Sequence, residues 1–158
     1  MPVRPRFIER PAMRLAGFAT EHPEERFAAR VPLQWAQLMG ASPLPGQCNE
    51  VGYGVRDIAD VGKPIVRYAA TVEVAQDAPL PDGAIAIEVP AASYAVFAGF
   101  DHVADLRAMW GRIIREWLPT APCQIAWTPA FERYGEGFDP LMGRGDMSLW
   151  VPVLGTTG

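Results

Sequence analysis

The segment Trp127–Tyr134, which has the sequence WTPAFERY, decides how we interpret the rest of the chain. It places one carboxylate, Glu132, among three aromatic side chains. If the segment is a β-strand, alternate side chains share a face, so Glu132 and Tyr134 point to the same side. An unpaired carboxylate on a covered face is energetically costly. Because such conflicts are typical of functional sites, the segment is the first place to look for function.

The composition is that of an ordinary soluble globular protein. The chain has 158 residues, 49% of them hydrophobic and 20% charged, which predicts one domain over residues 1–158. No apolar run approaches the roughly 18 to 20 residues of a membrane helix. The N-terminus has no apolar signal core, so we expect a cytoplasmic location and no membrane partner.

Charge and metal-binding residue types point away from two classes of partner. The net charge is −4 and the basic residues are scattered, which argues against direct nucleic-acid binding. Cys48 and Cys123 are isolated, and no spacing typical of a zinc site occurs. His22 and His102 are predicted to be surface residues at helix starts. We therefore predict no metal site and no cofactor.

Hydrophobic periodicity predicts seven strands and two helices. Outside the opening segment, the strands are expected over Arg6–Ala19, Asn49–Arg56, Pro64–Val74, Ala84–Val89, Ser93–Phe100 and Met147–Val153. The first helix carries an apolar stripe of Phe27, Val31, Trp35 and Leu38, and either kinks at Pro32 or begins near Val31. The second is expected from a cap at Asp101 to about Leu118, with the stripe Val103, Leu106, Trp110, Ile113 and Trp117. A turn around Ala59–Lys63 would join two of the strands.

The two halves of the chain share one order of elements, strand, helix, strand, strand. Pro11 and Pro90 are 79 residues apart, as are Phe18 and Phe97. This predicts a tandem repeat of approximately 1–79 and 80–158 in an α+β fold with pseudo-two-fold symmetry. The antiparallel sheet would carry both helices on one face, with a pocket between the repeats. The same spacing predicts that Tyr53 occupies the place of Glu132 and faces the same groove.

Four short motifs in this order resemble the GyrI-like small-molecule-binding domain, the effector-binding module of many AraC-type and MerR-type multidrug-responsive regulators. They are VPLQW at Val31–Trp35, RYAATVEV at Arg67–Val74, EWLP at Glu116–Pro119 and FERY at Phe131–Tyr134. The resemblance implies a standalone domain of tandem repeats with a pocket between them. It also implies that Glu132 lies in that pocket and meets cationic or polar ligands.

Each candidate side chain also has a structural interpretation. Glu132 could instead pair with Arg133 or another arginine on an exposed strand. Trp35 and Trp110 lie on helix stripes, where they would be either core or pocket residues, whereas Trp117 is expected in the core. Tyr134 is predicted to join Glu132 in the pocket, and Tyr68 could belong to either environment. Trp127 and Trp150 are expected to pack against the sheet.

The leading hypothesis is a binding protein for hydrophobic, cationic or aromatic small molecules, with a role in sequestration, resistance or effector sensing. Desolvation disfavours an ionised Glu132, and a bound cation would restore it. The alternative is a hydrolase of strained electrophilic natural products, with Glu132 and Tyr134 as catalytic groups. A third is inhibition of DNA gyrase, implied by the family's namesake and given the weakest support. A homodimer is a further predicted state.

Overall fold

The computed structural model describes residues 4–57 and 63–154. The predicted turn around Ala59–Lys63 therefore lies, except for Lys63, outside the described residues. The described elements in chain order are β1 (Arg6–Arg10), β2 (Met13–Pro23), α1 (Phe27–Ala41), β3 (Gln47–Arg56), β4 (Ile65–Val74), β5 (Ile85–Val89), β6 (Ala92–Phe97), α2 (Val103–Arg112), β7 (Gln124–Ile125), β8 (Ala130–Tyr134) and β9 (Met147–Leu154).

The described strands form one curled antiparallel sheet in the order β1-β6-β9-β8-β3-β4-β2-β5, with β7 added beside β9. Each strand of the first half has a counterpart in the second: β1 and β5, β2 and β6, β3 and β8, β4 and β9. When every strand is replaced by its counterpart, the same order is read from the opposite end of the sheet. A pseudo-two-fold axis therefore passes between the central strands β3 and β8. The α+β fold class and its tandem repeat, both predicted from the sequence, are confirmed.

The single strand predicted over Arg6–Ala19, with an edge position or a kink at Pro11, is wrong, because the structure has two separate strands there. Proline has no backbone N–H, and the first strand ends just before Pro11. Strand β1 then pairs with β6 in the second half, whereas β5 pairs with β2 in the first half. Each half thus contributes an edge strand to the other, so the two halves are interlocked.

The first helix begins at Phe27, later than the hydroxyl, proline and acids of Thr20–Glu25 predict, although such residues are typical of a helix start. Strand β2 continues to Pro23 because its pairing with β4 continues there, and a 3₁₀ turn over Glu24–Arg26 leads into α1. The prediction that His22 is a surface residue is therefore wrong. It is 3% exposed, and its Nε2 atom lies 2.7 Å from Oε1 of Gln34. The helix then continues through Pro32.

The second helix is capped by His102, not by Asp101. The Nδ1 atom of His102 accepts a hydrogen bond from the backbone N–H of Ala104 at 3.1 Å, while Asp105 accepts one from the N–H of His102 at 3.1 Å. This reciprocal pair is a capping box. The helix runs into a π-helical turn over Ile113–Trp117. No helix in the described part of the chain is long and apolar enough to cross a membrane.

The core has a cluster under each helix and a third on the opposite face of the sheet. Phe27 and Leu38 of α1 pack against β4, and Trp110 and Trp117 pack in the cluster beneath the second helix. Trp117 is a core residue, as predicted. Trp150 packs on the opposite face, stacked on Phe131 with ring centroids 5.6 Å apart. The prediction that Trp127 packs against the sheet is wrong, because its side chain is 80% exposed.

Candidate functional site

Glu132 is buried at the centre of the sheet, on the face that carries the helices. It is 5% exposed, and three neutral donors converge on its carboxylate. The hydroxyls of Tyr68 and Tyr134 each donate to Oε1 at 2.9 Å, and the indole N–H of Trp110 donates to Oε2 at 3.2 Å. Because the donors come from β4, β8 and α2, the site joins both halves of the chain.

Trp35 extends this network from α1. Its indole N–H donates to the Tyr68 hydroxyl at 3.0 Å, and its ring lies edge-on to that of Tyr134 with centroids 5.4 Å apart. Five of the six predicted ligand-binding side chains therefore lie in one cluster: the Glu132 carboxylate, its three donors Tyr68, Tyr134 and Trp110, and Trp35 beside them. Trp35 and Tyr134 are only half-buried, whereas Tyr68 and Trp110 are fully enclosed. The half-buried rings are the accessible edge of the cluster.

Both phenols beside Glu132 are held in their neutral form. Burial is the largest cause, and the nearby Glu132 charge adds to it, so that the pKa of Tyr68 and of Tyr134 is raised well above the usual value. Each phenol therefore keeps its proton at neutral pH and donates a hydrogen bond to the carboxylate. The arrangement is a set of fixed hydrogen-bond donors around a buried acid.

Two glycines of β3 make room for the cluster. A Cβ atom on Gly52 would lie 3.1 Å from the Trp35 ring, and one on Gly54 would lie 2.8 Å from Oε1 of Glu132. The Gly-Tyr-Gly pattern at residues 52–54 is typical of such a close approach or of a bulge. Trp35 therefore packs directly over backbone, and Glu132 and Tyr68 meet above Gly54.

The prediction that Tyr53 faces the same groove as Glu132 is wrong. Tyr53 pairs with Arg133 across the two central strands, so it lies on the opposite face of the sheet. There it packs edge-on to Phe131 with ring centroids 5.3 Å apart, in the third core cluster. Its hydroxyl accepts a hydrogen bond from Arg10 at 3.4 Å.

The strand register explains the error. Thr71 pairs with Tyr53 in the first half, and its counterpart 79 residues later, Trp150, pairs with Phe131 in the second. Tyr53 therefore corresponds to Phe131, and the counterpart of Glu132 is Gly54. These last two residues are paired with each other, so the pseudo-two-fold axis passes between them. A one-residue slip in the repeat moved the predicted side chain to the wrong face.

Sequence reasoning missed a basic pocket that shares Trp110 with this cluster. The pocket has a volume of about 230 Å³, and its lining includes Glu24, Phe27, Arg56, Arg107, Trp110 and Arg115. Arg56 alternates with Gly52 and Gly54 along β3, so its parity with these glycines was the available signal. That parity predicts the face on which Arg56 lies but not its burial, because arginines are mostly exposed.

The alternative in which Glu132 pairs with Arg133 does not hold. Arg133 points away from Glu132 and lies 3.9 Å from Asp146. Among residues 4–57 and 63–154, Glu132 forms no ion pair. Over the same residues, no group of three or more histidine, cysteine, aspartate or glutamate side chains could hold a metal ion.

Comparisons with known proteins agree with this architecture. A family model described as Cass2, integron-associated effector binding protein, matches residues 6–153. No curated protein sequence matches the chain.

Solved structures extend the likeness over the whole domain. An integron cassette protein of Vibrio cholerae is 13% identical, with a TM-score of 0.65 over 96% of this chain and 97% of that one. A bacterial transcription regulation protein of Staphylococcus aureus MU50 is 14% identical, with a TM-score of 0.65 over 97% and 99%. SAV2435, solved with tetraphenylphosphonium bound, is 16% identical, with a TM-score of 0.70 over 96% and 94%. At these identities the likeness establishes the fold alone.

Proposed function

The chain belongs to the family of integron-associated effector binding proteins, and from its buried site we propose that it binds flat, hydrophobic molecules whose cationic or polar group meets Glu132. Binding of small molecules is the general property of effector-binding domains. The finer proposal concerns the chemistry of the ligand and the residues that contact it: Glu132, Tyr134, Tyr68, Trp110 and Trp35.

The observation that supports it most is a buried carboxylate with no ion-pair partner among the described residues. A buried charge is costly, and neutral donors compensate for only part of the lost hydration. A ligand cation at this position would supply the missing opposite charge. SAV2435, which shares the fold, has been solved with a lipophilic cation, tetraphenylphosphonium.

The aromatic surroundings favour the same class of ligand. Trp35 and Tyr134 present half-buried rings at the edge of the cluster. Each aromatic face attracts a cation by on the order of 0.5 to 2 kcal/mol, and also supplies apolar area to a flat ring system. Sequestration, resistance and effector sensing would each follow from such binding.

The experiment is a titration with lipophilic cationic dyes, followed by fluorescence and calorimetry. Glu132→Gln removes the charge at nearly constant shape, so we expect affinity to fall roughly tenfold to a hundredfold, as for a lost charge-assisted contact. Glu136→Gln is the matched control, because Glu136 is exposed in the loop after β8. Unchanged affinity in Glu132→Gln, with wild-type circular dichroism, would contradict the proposal.

The hydrolase alternative has less support. Its catalytic residues would be Glu132 and Tyr134, but both carboxylate oxygens already accept hydrogen bonds, and the raised pKa of Tyr134 makes its phenol a weaker acid toward a leaving group. Product formed at more than one equivalent per protein would revive it. A homodimer and an interaction with gyrase stay predictions.

A further inference from the structure

Three arginines from different elements converge on the basic pocket beside Trp110. Arg56 comes from β3, Arg107 from α2 and Arg115 from the π-helical turn. Gly111 has no side chain, so the guanidinium of Arg115 folds to within 2.7 Å of where its Cβ would be. None of the three arginines forms an ion pair in the described ranges, and Glu24 is the one carboxylate in the lining.

Arg56 is the buried member of the three. It is 7% exposed, and its guanidinium carbon lies 5.4 Å from the Phe27 ring centroid and 5.3 Å from that of Trp110. Its Nε–H has no hydrogen-bond partner among the described residues. A buried guanidinium that lies between two rings, lines a pocket and has no ion-pair partner among the described residues is suited to bind a planar acidic group.

Trp110 connects this pocket to the carboxylate cluster. One side of the indole faces Arg56, while its N–H donates to Glu132. The Arg56 charge also reaches the cluster, since it lowers the pKa of Tyr134, although burial raises that pKa by more. Two buried groups of opposite charge, Arg56 and Glu132, therefore lie near one aromatic side chain.

We propose that the basic pocket is a subsite for the acidic group of an aromatic zwitterion, whose ring lies along Trp110 and whose ammonium group meets Glu132. Arg56, with the mouth residues Arg107 and Arg115, binds the acid. This inference rests on the proposed function and deepens it, because it names the ligand class. A simple cation would satisfy Glu132 but would leave the arginines without a partner and experience their repulsion.

A matched pair of probes tests the subsite. An (aminomethyl)naphthoic acid is a zwitterion at neutral pH, and its methyl ester is a cation on the same ring. We expect calorimetry to show the acid binding about tenfold more tightly than the ester, the difference typical of one charge-assisted contact. In the Arg107→Gln/Arg115→Gln variant the preference should fall severalfold, and in Arg56→Met it should disappear.

The variants separate the subsite from general electrostatics and from misfolding. Arg107 and Arg115 are exposed, so the double variant is expected to fold. Arg6→Gln/Arg144→Gln removes the same charge from exposed residues outside the pocket and should keep the preference. The subsite is overturned if the wild type binds acid and ester equally. It is also overturned if this control loses as much of the preference for the acid as the Arg107→Gln/Arg115→Gln variant does. If the ester still binds in a Glu132-dependent way, the proposed function survives; binding of neither probe overturns both.

Discussion

Gly54→Ala is the sharpest test of how the site is built. The new Cβ would lie 2.7 Å from Cζ of Tyr68 and 2.8 Å from Oε1 of Glu132, and closer still to the Tyr68 hydroxyl. Tyr68 is completely buried, so its ring has no free space in which to move. The methyl group must therefore displace the Tyr68 ring, the carboxylate or the strand itself.

The magnitude follows from two effects. Overpacking of a well-packed core costs about 1 to 3 kcal/mol, and a disrupted hydrogen bond from Tyr68 to the Glu132 carboxylate costs about 1.5 to 3 kcal/mol. A shift that relieves the overpacking also disrupts the hydrogen bond, so the two costs are not both paid in full. We therefore expect the free energy of unfolding to fall by about 2 to 4 kcal/mol. Urea denaturation with an unchanged m-value would measure it.

Gly40→Ala is the matched control. Apart from its chain neighbours and the backbone of its own helix, no heavy atom of the described residues lies within 4 Å of a Cβ built on Gly40, which is exposed in α1. Alanine should therefore raise stability there by about 0.5 to 1 kcal/mol. A loss below about 1 kcal/mol in Gly54→Ala would refute the reasoning.

A second arm identifies the group that clashes. The closest contact is with the Tyr68 hydroxyl, so Tyr68→Phe should relieve part of the strain in the Gly54→Ala background. The double variant should then be less destabilised than the sum of the single variants. Additive losses would show that the ring or strand, and not the hydroxyl, opposes the methyl group.

Two further predictions concern the polar groups around the site. Gln34→Leu should lower the free energy of unfolding by about 2 to 4 kcal/mol, because the amide donates to the carbonyls of Phe18 and Tyr68 and lies against His22; an unchanged urea midpoint would contradict this. The native Tyr134 keeps a proton that the unfolded chain releases near pH 10.0, so stability should be constant below about pH 9 and fall above about pH 10. Tyr134→Phe should make this alkaline loss shallower in urea midpoints measured from pH 8 to 11; equal slopes would exclude Tyr134 as its source.

The elements with strong periodicity could be predicted from sequence, and so could the side chains that share a face in the segment Trp127–Tyr134. Glu132 and Tyr134 share a face because strand alternation depends on local geometry alone. The break at Pro11 was missed because the residues on both sides favour strand, and the partner of each piece lies in a different half of the chain. His22 was missed because the end of β2 depends on its pairing with β4, which local helix-start chemistry does not show.

Burial of charge was the other limit. Arg56 is buried only because β3 lies at the centre of the sheet, between β8 and β4, with Phe27 and Trp110 over it. Those neighbours are distant in sequence, so the local pattern gives the face on which Arg56 lies but not its burial. Trp127 shows the converse, since an aromatic residue beside a buried strand is exposed.

The position of the pseudo-two-fold axis explains why the two halves must differ at this site. Gly54 and Glu132 are repeat counterparts and direct partners across β3 and β8. In a symmetric arrangement both positions would carry the same residue. Two glutamates would bring like charges together in a buried place, where one would be forced to stay protonated. Two glycines would leave no charge to recognise a ligand.

The observed pair avoids both outcomes, because glycine gives the space into which the opposite glutamate and Tyr68 fit. The same asymmetry occurs among the residues above it. Trp110, which donates to the carboxylate, has Val31 as its counterpart 79 residues earlier, and that residue has no donor. Arg56 corresponds to Tyr134 by the register of the central strands. The fold therefore supplies a symmetric frame, and the binding site that we propose lies where the halves have diverged around its axis.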